Sequence, residues 1–136
     1  MATVTATITL TSGADDLTTD ALSLSDTQTV TITDMTTTGL ARTKVVATSV
    51  HSTATTLFTA ASYTAGSAYL YVKNTDATTT DYLFIYDDTT TGTPVICKLR
   101  GGDWAFLPLN AGLTLKAYAT TNPTVAEFMV FGAEAS

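Results

Sequence analysis

Few residues in this chain have the chemistry to act on a substrate, and their spacing limits what they could do. His51 is the only histidine. No Ser-His-Asp or Cys-His set is indicated by spacing, and no histidine pair exists for zinc. His51 lies in the polar stretch Ser49 to Thr56 and reads as a surface residue. Cys97 is the only cysteine, so no disulfide can form within this sequence. It sits in the apolar run Val95-Ile96-Cys97 and reads as a buried structural thiol rather than a reactive one. Asp15-Asp16, Asp87-Asp88 and Asn74-Thr75-Asp76 could offer oxygens to calcium, but the EF-hand spacing is absent. Such residues ordinarily sit in turns because they bond local backbone. Glu127 and Glu134 are too few and too near the end to propose a glycosidase pair. No cofactor or metal is called for, and no enzyme is expected.

Tyr69, Tyr71, Tyr82, Tyr86 and Trp104 could form an aromatic platform for sugar rings. Tyrosine equally marks cores and oligomer interfaces, because it packs while keeping one hydrogen bond, and that reading is preferred here. Threonine makes up about a quarter of the chain, far above the usual mix. From Thr3 to Thr11 it alternates strictly with Val4, Ala6, Ile8 and Leu10. That is the period of a strand with one buried and one wet face. Ice-binding faces also rank threonines, but they need a regular repeat, and this array breaks after Thr11. The hydroxyls of Thr5, Thr7 and Thr9 can instead face water, or bond a neighbouring subunit without the desolvation cost of a charge.

The elements that must carry these residues are strands. No apolar series at helical spacing has caps at both ends, apart from a possible short piece at Ala14 to Leu22. Strands are expected over Val4–Thr11 with Val4, Ala6, Ile8 and Leu10 inward, over Ala21–Thr33 as one strand or a kinked pair, and over Leu40–Val50 with Val45, Val46 and Val50 in the core. Leu57 and Phe58 form a short apolar piece, and Ala65-Gly66-Ser67 is expected to break the chain. Ala68–Lys73, Tyr82–Tyr86, Val95–Leu99, Trp104–Leu109, Leu113–Ala117 and Glu127–Phe131 complete the set. Asn74-Thr75-Asp76 and Arg100-Gly101-Gly102-Asp103 mark turns. Many short strands at regular spacing predict an all-β antiparallel sandwich, one domain over residues 1–136. The architecture is expected to be jelly-roll-like, with an immunoglobulin-like sandwich as the alternative. The missing cysteine pair favours the former.

Bulk composition excludes several functions. With 136 residues and 45% hydrophobic content, the chain can bury a core. Charged residues are 13% and the formal net charge is −6. Arg42, Lys44, Lys73, Lys98, Arg100 and Lys116 make no nucleic-acid patch, and an anionic membrane would repel the chain. The start of the sequence shows neither a basic n-region nor an apolar h-region, so no signal peptide is expected. Lysine-poor composition without secretion signals fits a protein made in the cytosol that later works outside, as virion components do.

Particular stretches carry a likeness. Ala6 to Gly13, Tyr71-Val72-Lys73-Asn74-Thr75-Asp76, the strand Tyr82–Asp87, and Gly102 to Leu109 leading to Leu115-Lys116-Ala117 resemble small virion structural proteins of tailed phages. The resemblance implies a capsid decoration (cement) protein on the virion surface, synthesised in the host cytoplasm. It implies the major capsid protein as partner and self-association as a homotrimer. Such proteins have no catalytic residues to carry over. The interface expected on this reading includes Tyr69, Tyr71, Trp104, Thr5, Thr7 and Thr9. The alternative is a tail-tip or fibre-associated module that binds a host glycan or another tail protein.

Overall fold

The structure is a computed structural model that describes residues 1–14, 21–48, 51–59, 63–88, 94–110 and 112–134. Eleven strands are present among them: β1 (Ala2–Thr11), β2 (Ser23–Ile32), β3 (Met35–Thr37), β4 (Ala41–Val45), β5 (Thr55–Phe58), β6 (Tyr63–Asn74), β7 (Leu83–Asp87), β8 (Val95–Leu99), β9 (Trp104–Leu109), β10 (Leu115–Ala119) and β11 (Thr124–Glu134). The chain divides into two compact units, Met1–Asp34 and Met35–Ser136.

The larger unit is an antiparallel β-sandwich. One sheet runs β3-β11-β6-β9 with β4 also paired to β11; the other runs β5-β10-β7-β8. The pairings are nested: β7 with β8, β6 with β9, β5 with β10 and β4 with β11, all antiparallel. A long hairpin folded over on itself produces this nesting, which is the jelly roll's wrapping of eight strands into two four-membered layers. It sets aside the immunoglobulin-like alternative. After β4 the chain changes sheets: Thr48 N–H donates to the Ala119 carbonyl at 3.2 Å, and Ala119 N–H donates to the Val46 carbonyl at 2.9 Å. The step from one layer to the other closes a corner of the sandwich.

The core lies between the two sheets. Alternation sends Ala68, Leu70 and Val72 of β6 and Ala126, Phe128 and Val130 of β11 inward from one side. Leu83 and Ile85 of β7, with Leu115, Ala117 and Ala119 of β10, meet them from the other. β7 is central in its sheet, so it is apolar on both faces, as its sequence predicts. The turn into β9 depends on two glycines. Gly102 has φ +86°, and a Cβ on Gly101 would run into the Asp76 and Thr78 carbonyls.

The smaller unit holds the two-stranded ribbon β1–β2, with Ala2 opposite Ile32 and Thr11 opposite Ser23. Ser12 N–H continues the pairing to the Leu22 carbonyl at 2.9 Å. Its odd-numbered face is a ladder of hydroxyls: Thr3 opposite Thr31, Thr5 opposite Thr29, Thr7 opposite Thr27, Thr9 opposite Ser25. The even-numbered face carries the apolar residues.

Three expectations change. Ile8 and Leu10 are not in a core; they are 43% and 50% exposed, because β1 pairs only with β2 and their own unit holds no second sheet to cover them. Val46 is exposed rather than buried, since the chain is crossing between sheets there, whereas Val45 is buried. Ala65-Gly66-Ser67 does not end the strand: β6 runs from Tyr63 to Asn74, but its register with β11 shifts there, between Ala68 opposite Gly132 and Tyr63 opposite Glu134. Val50 and most of the proposed piece at Ala14 to Leu22 lie outside the described residues.

Candidate interaction surface

The outer face of the five-stranded sheet follows from the same alternation. With Leu70 and Val72 inward, Tyr69, Tyr71 and Lys73 must point outward. The register builds rows across the sheet from them. Phe131, Tyr69 and Pro108 form one row, Met129, Tyr71 and Phe106 the next, and Glu127, Lys73 and Trp104 the third. Arg42 extends the last row from β4. Tyr69 stacks on Phe131 at 5.5 Å and on Phe106 at 6.0 Å between ring centroids. Phe131 is buried although it faces away from the core between the sheets, while Trp104 is 53% exposed.

One polar cluster sits among these rings. Arg42 lies 2.6 Å from Glu127 through Nη2, and its Nε donates to the same carboxylate oxygen at 2.8 Å. The Tyr71 hydroxyl donates to the other oxygen at 3.3 Å. The Arg42 hydrogen bond holds the Glu127 carboxyl below the usual carboxylate range. Burial, then the charge of Glu127, pushes the Tyr71 phenol up. The pairing orients Arg42 and Tyr71 side by side on the sheet face.

The other sheet has its own aromatic outer face. Phe84 stacks on Tyr118 at 4.9 Å with planes 3° apart, and Tyr86 meets Tyr118 edge-on at 5.9 Å. Lys98 Nζ lies 3.9 Å above the Tyr82 ring, a cation–π distance. Lys116 pairs with Asp88 at 2.7 Å, and that hydrogen bond pushes the Lys116 ammonium up. Tyr69, Tyr71 and Trp104 are therefore brought together on the first sheet, whereas Tyr82 and Tyr86 belong to the second. The single five-membered platform is corrected to two separate faces. Sequence alternation is silent on which strands share a layer.

The remaining candidates are dispersed. Thr5, Thr7 and Thr9 lie on the hydroxyl face of the ribbon, where Thr7 and Thr27 share a hydrogen bond at 3.0 Å. Cys97 is half-buried in β8, and burial pushes its thiol up to about 11. Asp88 is engaged by Lys116, and the Asp76 carboxyl is held low chiefly by the Thr78 N–H at 2.8 Å. No group of three metal-ligating side chains occurs among the described residues. Asp15, Asp16 and the side chains of His51 and Glu134 lie outside the description.

Sequence reasoning missed Asn74. It is fully buried, and its amide makes four hydrogen bonds. Nδ2 donates to the Asp81 and Leu99 carbonyls at 3.1 and 3.2 Å. Oδ1 accepts from Asp76 N–H at 3.1 Å and from the Thr124 hydroxyl at 3.0 Å. This knot ties the end of β6 to the start of β11 and to both ends of the β7–β8 hairpin. It fixes one edge of the face that presents Lys73 and Trp104. A strand-ending Asn was the only signal, and it read as a turn.

No protein-family model matches the chain, and no curated protein matches it. In shape, the chain is similar to one in a solved structure described as "Bacillus endospore appendages form a novel family of disulfide-linked pili". The TM-score is 0.52 at 14% identity, over 75% of this chain and 88% of that one. The likeness is one of fold: an all-β sandwich.

Proposed function

We propose that the chain is a non-enzymatic structural subunit of a virion surface, a decoration protein that binds over junctions between major capsid subunits. One observation carries this reading: a sandwich with a full core still displays Trp104, Tyr71, Phe106 and Met129, with Arg42 among them, on an outer sheet face. An antiparallel sheet that meets only water ordinarily presents polar residues there. Tryptophan, tyrosine and arginine are the types that dominate interface energetics. Low charge limits desolvation costs on docking, and many equivalent weak contacts would add by multivalency. The net charge of −6 disfavours association with packaged DNA.

The test is co-sedimentation of the purified protein with DNA-free shells of a tailed phage, beside whole host cells. Saturable shell binding that Trp104→Ala weakens by ~10-fold or more is the expected result. Binding to cells or glycans without binding to shells would sink the proposal and favour the tail-module alternative.

A second reading is a subunit of an extracellular filament, favoured by the fold likeness to the spore appendage chain. Covalent linkage of the kind named for that structure does not transfer simply. A chain of disulfide-linked copies needs two reacting cysteines per subunit, and this sequence has one, half-buried in a sheet. Negative-stain microscopy of the concentrated protein distinguishes filaments from discrete particles.

A further inference from the structure

We infer that the apolar face of the β1–β2 ribbon docks on the outer face of the five-stranded sheet of a second copy of this chain. The inference deepens the structural-subunit reading by naming how copies join. Two uncovered surfaces motivate it. On the ribbon, Ile8, Leu10 and Leu24 are 43%, 50% and 49% exposed, in line with half-buried Val4 and Val30 on the same face. An isolated two-stranded ribbon is marginal in water until a further layer covers its apolar side. On the sheet, Trp104 is 53% exposed beside Tyr71 and Phe106.

Charge identifies the occupant as another copy. Residues 1–34 contain five aspartates (Asp15, Asp16, Asp20, Asp26 and Asp34) and no Lys, Arg, His or Glu, a formal −5 out of the chain's −6. The outer face of the five-stranded sheet carries Arg42, Lys44 and Lys73 against Glu127, which is 3 − 1 = +2. Half of the six basic residues thus gather on one face of an acidic chain. Asp26, exposed on the apolar side of the ribbon opposite Ile8, supplies the complementary charge where the ribbon would dock.

Size sets the strength. A ten-residue ribbon is roughly 33 Å long with strands ~4.8 Å apart, so its face covers only some 300 Å². Both sides together fall below the roughly 1,200 Å² of a stable isolated pair. A ribbon-to-sheet contact is head-to-tail, so every copy has one donor and one acceptor surface. Such contacts close into a ring, the expected homotrimer being one case, or run on as a filament.

Light scattering after size exclusion, with full-length protein from ~1 µM to ~1 mM, tests this through two variants expected to weaken self-association by ~10-fold or more. Ile8→Thr with Leu10→Thr removes the ribbon's apolar stripe while keeping strand propensity. Trp104→Thr removes the most exposed aromatic ring of the sheet surface. Each variant alone should remain monomeric where wild type associates. Their equimolar mixture should give a 1:1 dimer and nothing larger, because it retains one working ribbon and one working sheet. That restoration also shows that both variants fold. Asp26→Lys should weaken association by a further ~10-fold at low salt and little at high salt. Monomeric wild type throughout, association surviving Trp104→Thr, or a mixture that stays monomeric each overturns the inference. Both readings use the Trp104 face, so shell binding is scored with the Ile8→Thr, Leu10→Thr variant, which leaves that face intact: shell binding kept while self-association is lost separates this contact from the decoration reading.

Discussion

Replacing Asn74 by leucine should loosen the sandwich more than its single position implies. The side chain is fully buried and spends both amide protons and two oxygen lone pairs on partners at 3.0–3.2 Å. Leucine keeps the volume and offers none of them. The carbonyls of Asp81 and Leu99, the Thr124 hydroxyl and the Asp76 N–H all lose a partner. At about 1 kcal/mol net per bond, with water reaching the half-buried Asp76 N–H, the loss is about 3 kcal/mol. A unit of about 100 residues has an unfolding entropy near 0.2 kcal/mol/K, so the midpoint should fall by about 15 °C. Urea unfolding followed by the fluorescence of Trp104, the sole tryptophan, reads the sandwich directly. Thr124→Val removes one bond of the four and should cost about 1 kcal/mol. Asn74→Asp gives a second signature: one carboxylate oxygen would face two carbonyls, so the deficit relative to wild type should shrink as pH falls and that group protonates. If Asn74→Leu unfolds within ~1 kcal/mol of wild type, the knot does not hold the two sheets together and the reasoning fails.

Two further outcomes follow from the titratable groups. The Asp76 carboxyl is held low by the Thr78 N–H, so its stabilisation is present above the ordinary carboxylate value and is lost as pH falls through the lower native value. Asp76→Asn keeps an acceptor for Thr78 but removes the titration, so its acid-unfolding limb should be shallower than wild type; an identical limb refutes the assignment. Cys97, with its thiol pushed up to about 11, should react with iodoacetamide at pH 8 at least ~100-fold more slowly in the native protein than in urea. Equal rates would show the thiol to be open to solvent.

Local order was legible because local chemistry set it. Pro94 and the Gly101-Gly102 pair punctuate β8 and β9, and both strands have the bounds their sequence predicts. What was not legible depends on partners distant in sequence. Ala65-Gly66-Ser67 reads as a break by composition; the strand continues through it, while its register with β11 shifts there. Alternation from Val4 to Leu10 correctly predicts a strand and cannot say whether a second layer exists behind it. Tyr69, Tyr71 and Trp104 were recognisable as surface-forming types, but their gathering on one face follows from the β6–β9 register. Arg42 and Glu127, 85 residues apart, meet because β4 and β11 are adjacent, which no local pattern encodes.

The threonine ladder fits the ribbon better as a register device than as a binding surface. Side chains alternate with period two, so slipping β1 against its neighbour by one residue would exchange its two faces. Hydroxyls would then fill the side that holds Val4, Ile8 and Leu10. Cross-strand threonine pairs such as Thr7 with Thr27 stabilise the existing register from the wet side, each by a few tenths of a kcal/mol to about 1 kcal/mol. They do so without charge, so the acidity of residues 1–34 comes from Asp26 and from Asp15, Asp16, Asp20 and Asp34. A face of charged pairs could hold register equally well, but it would add long-range fields to a segment whose docking relies on a single sign. Neutral β-branched hydroxyls keep the strands paired, the opposite face apolar and the charge acidic throughout. Register and docking then make separate demands on the same twenty paired residues, and alternating Thr with Val, Ala, Ile and Leu along β1 meets both.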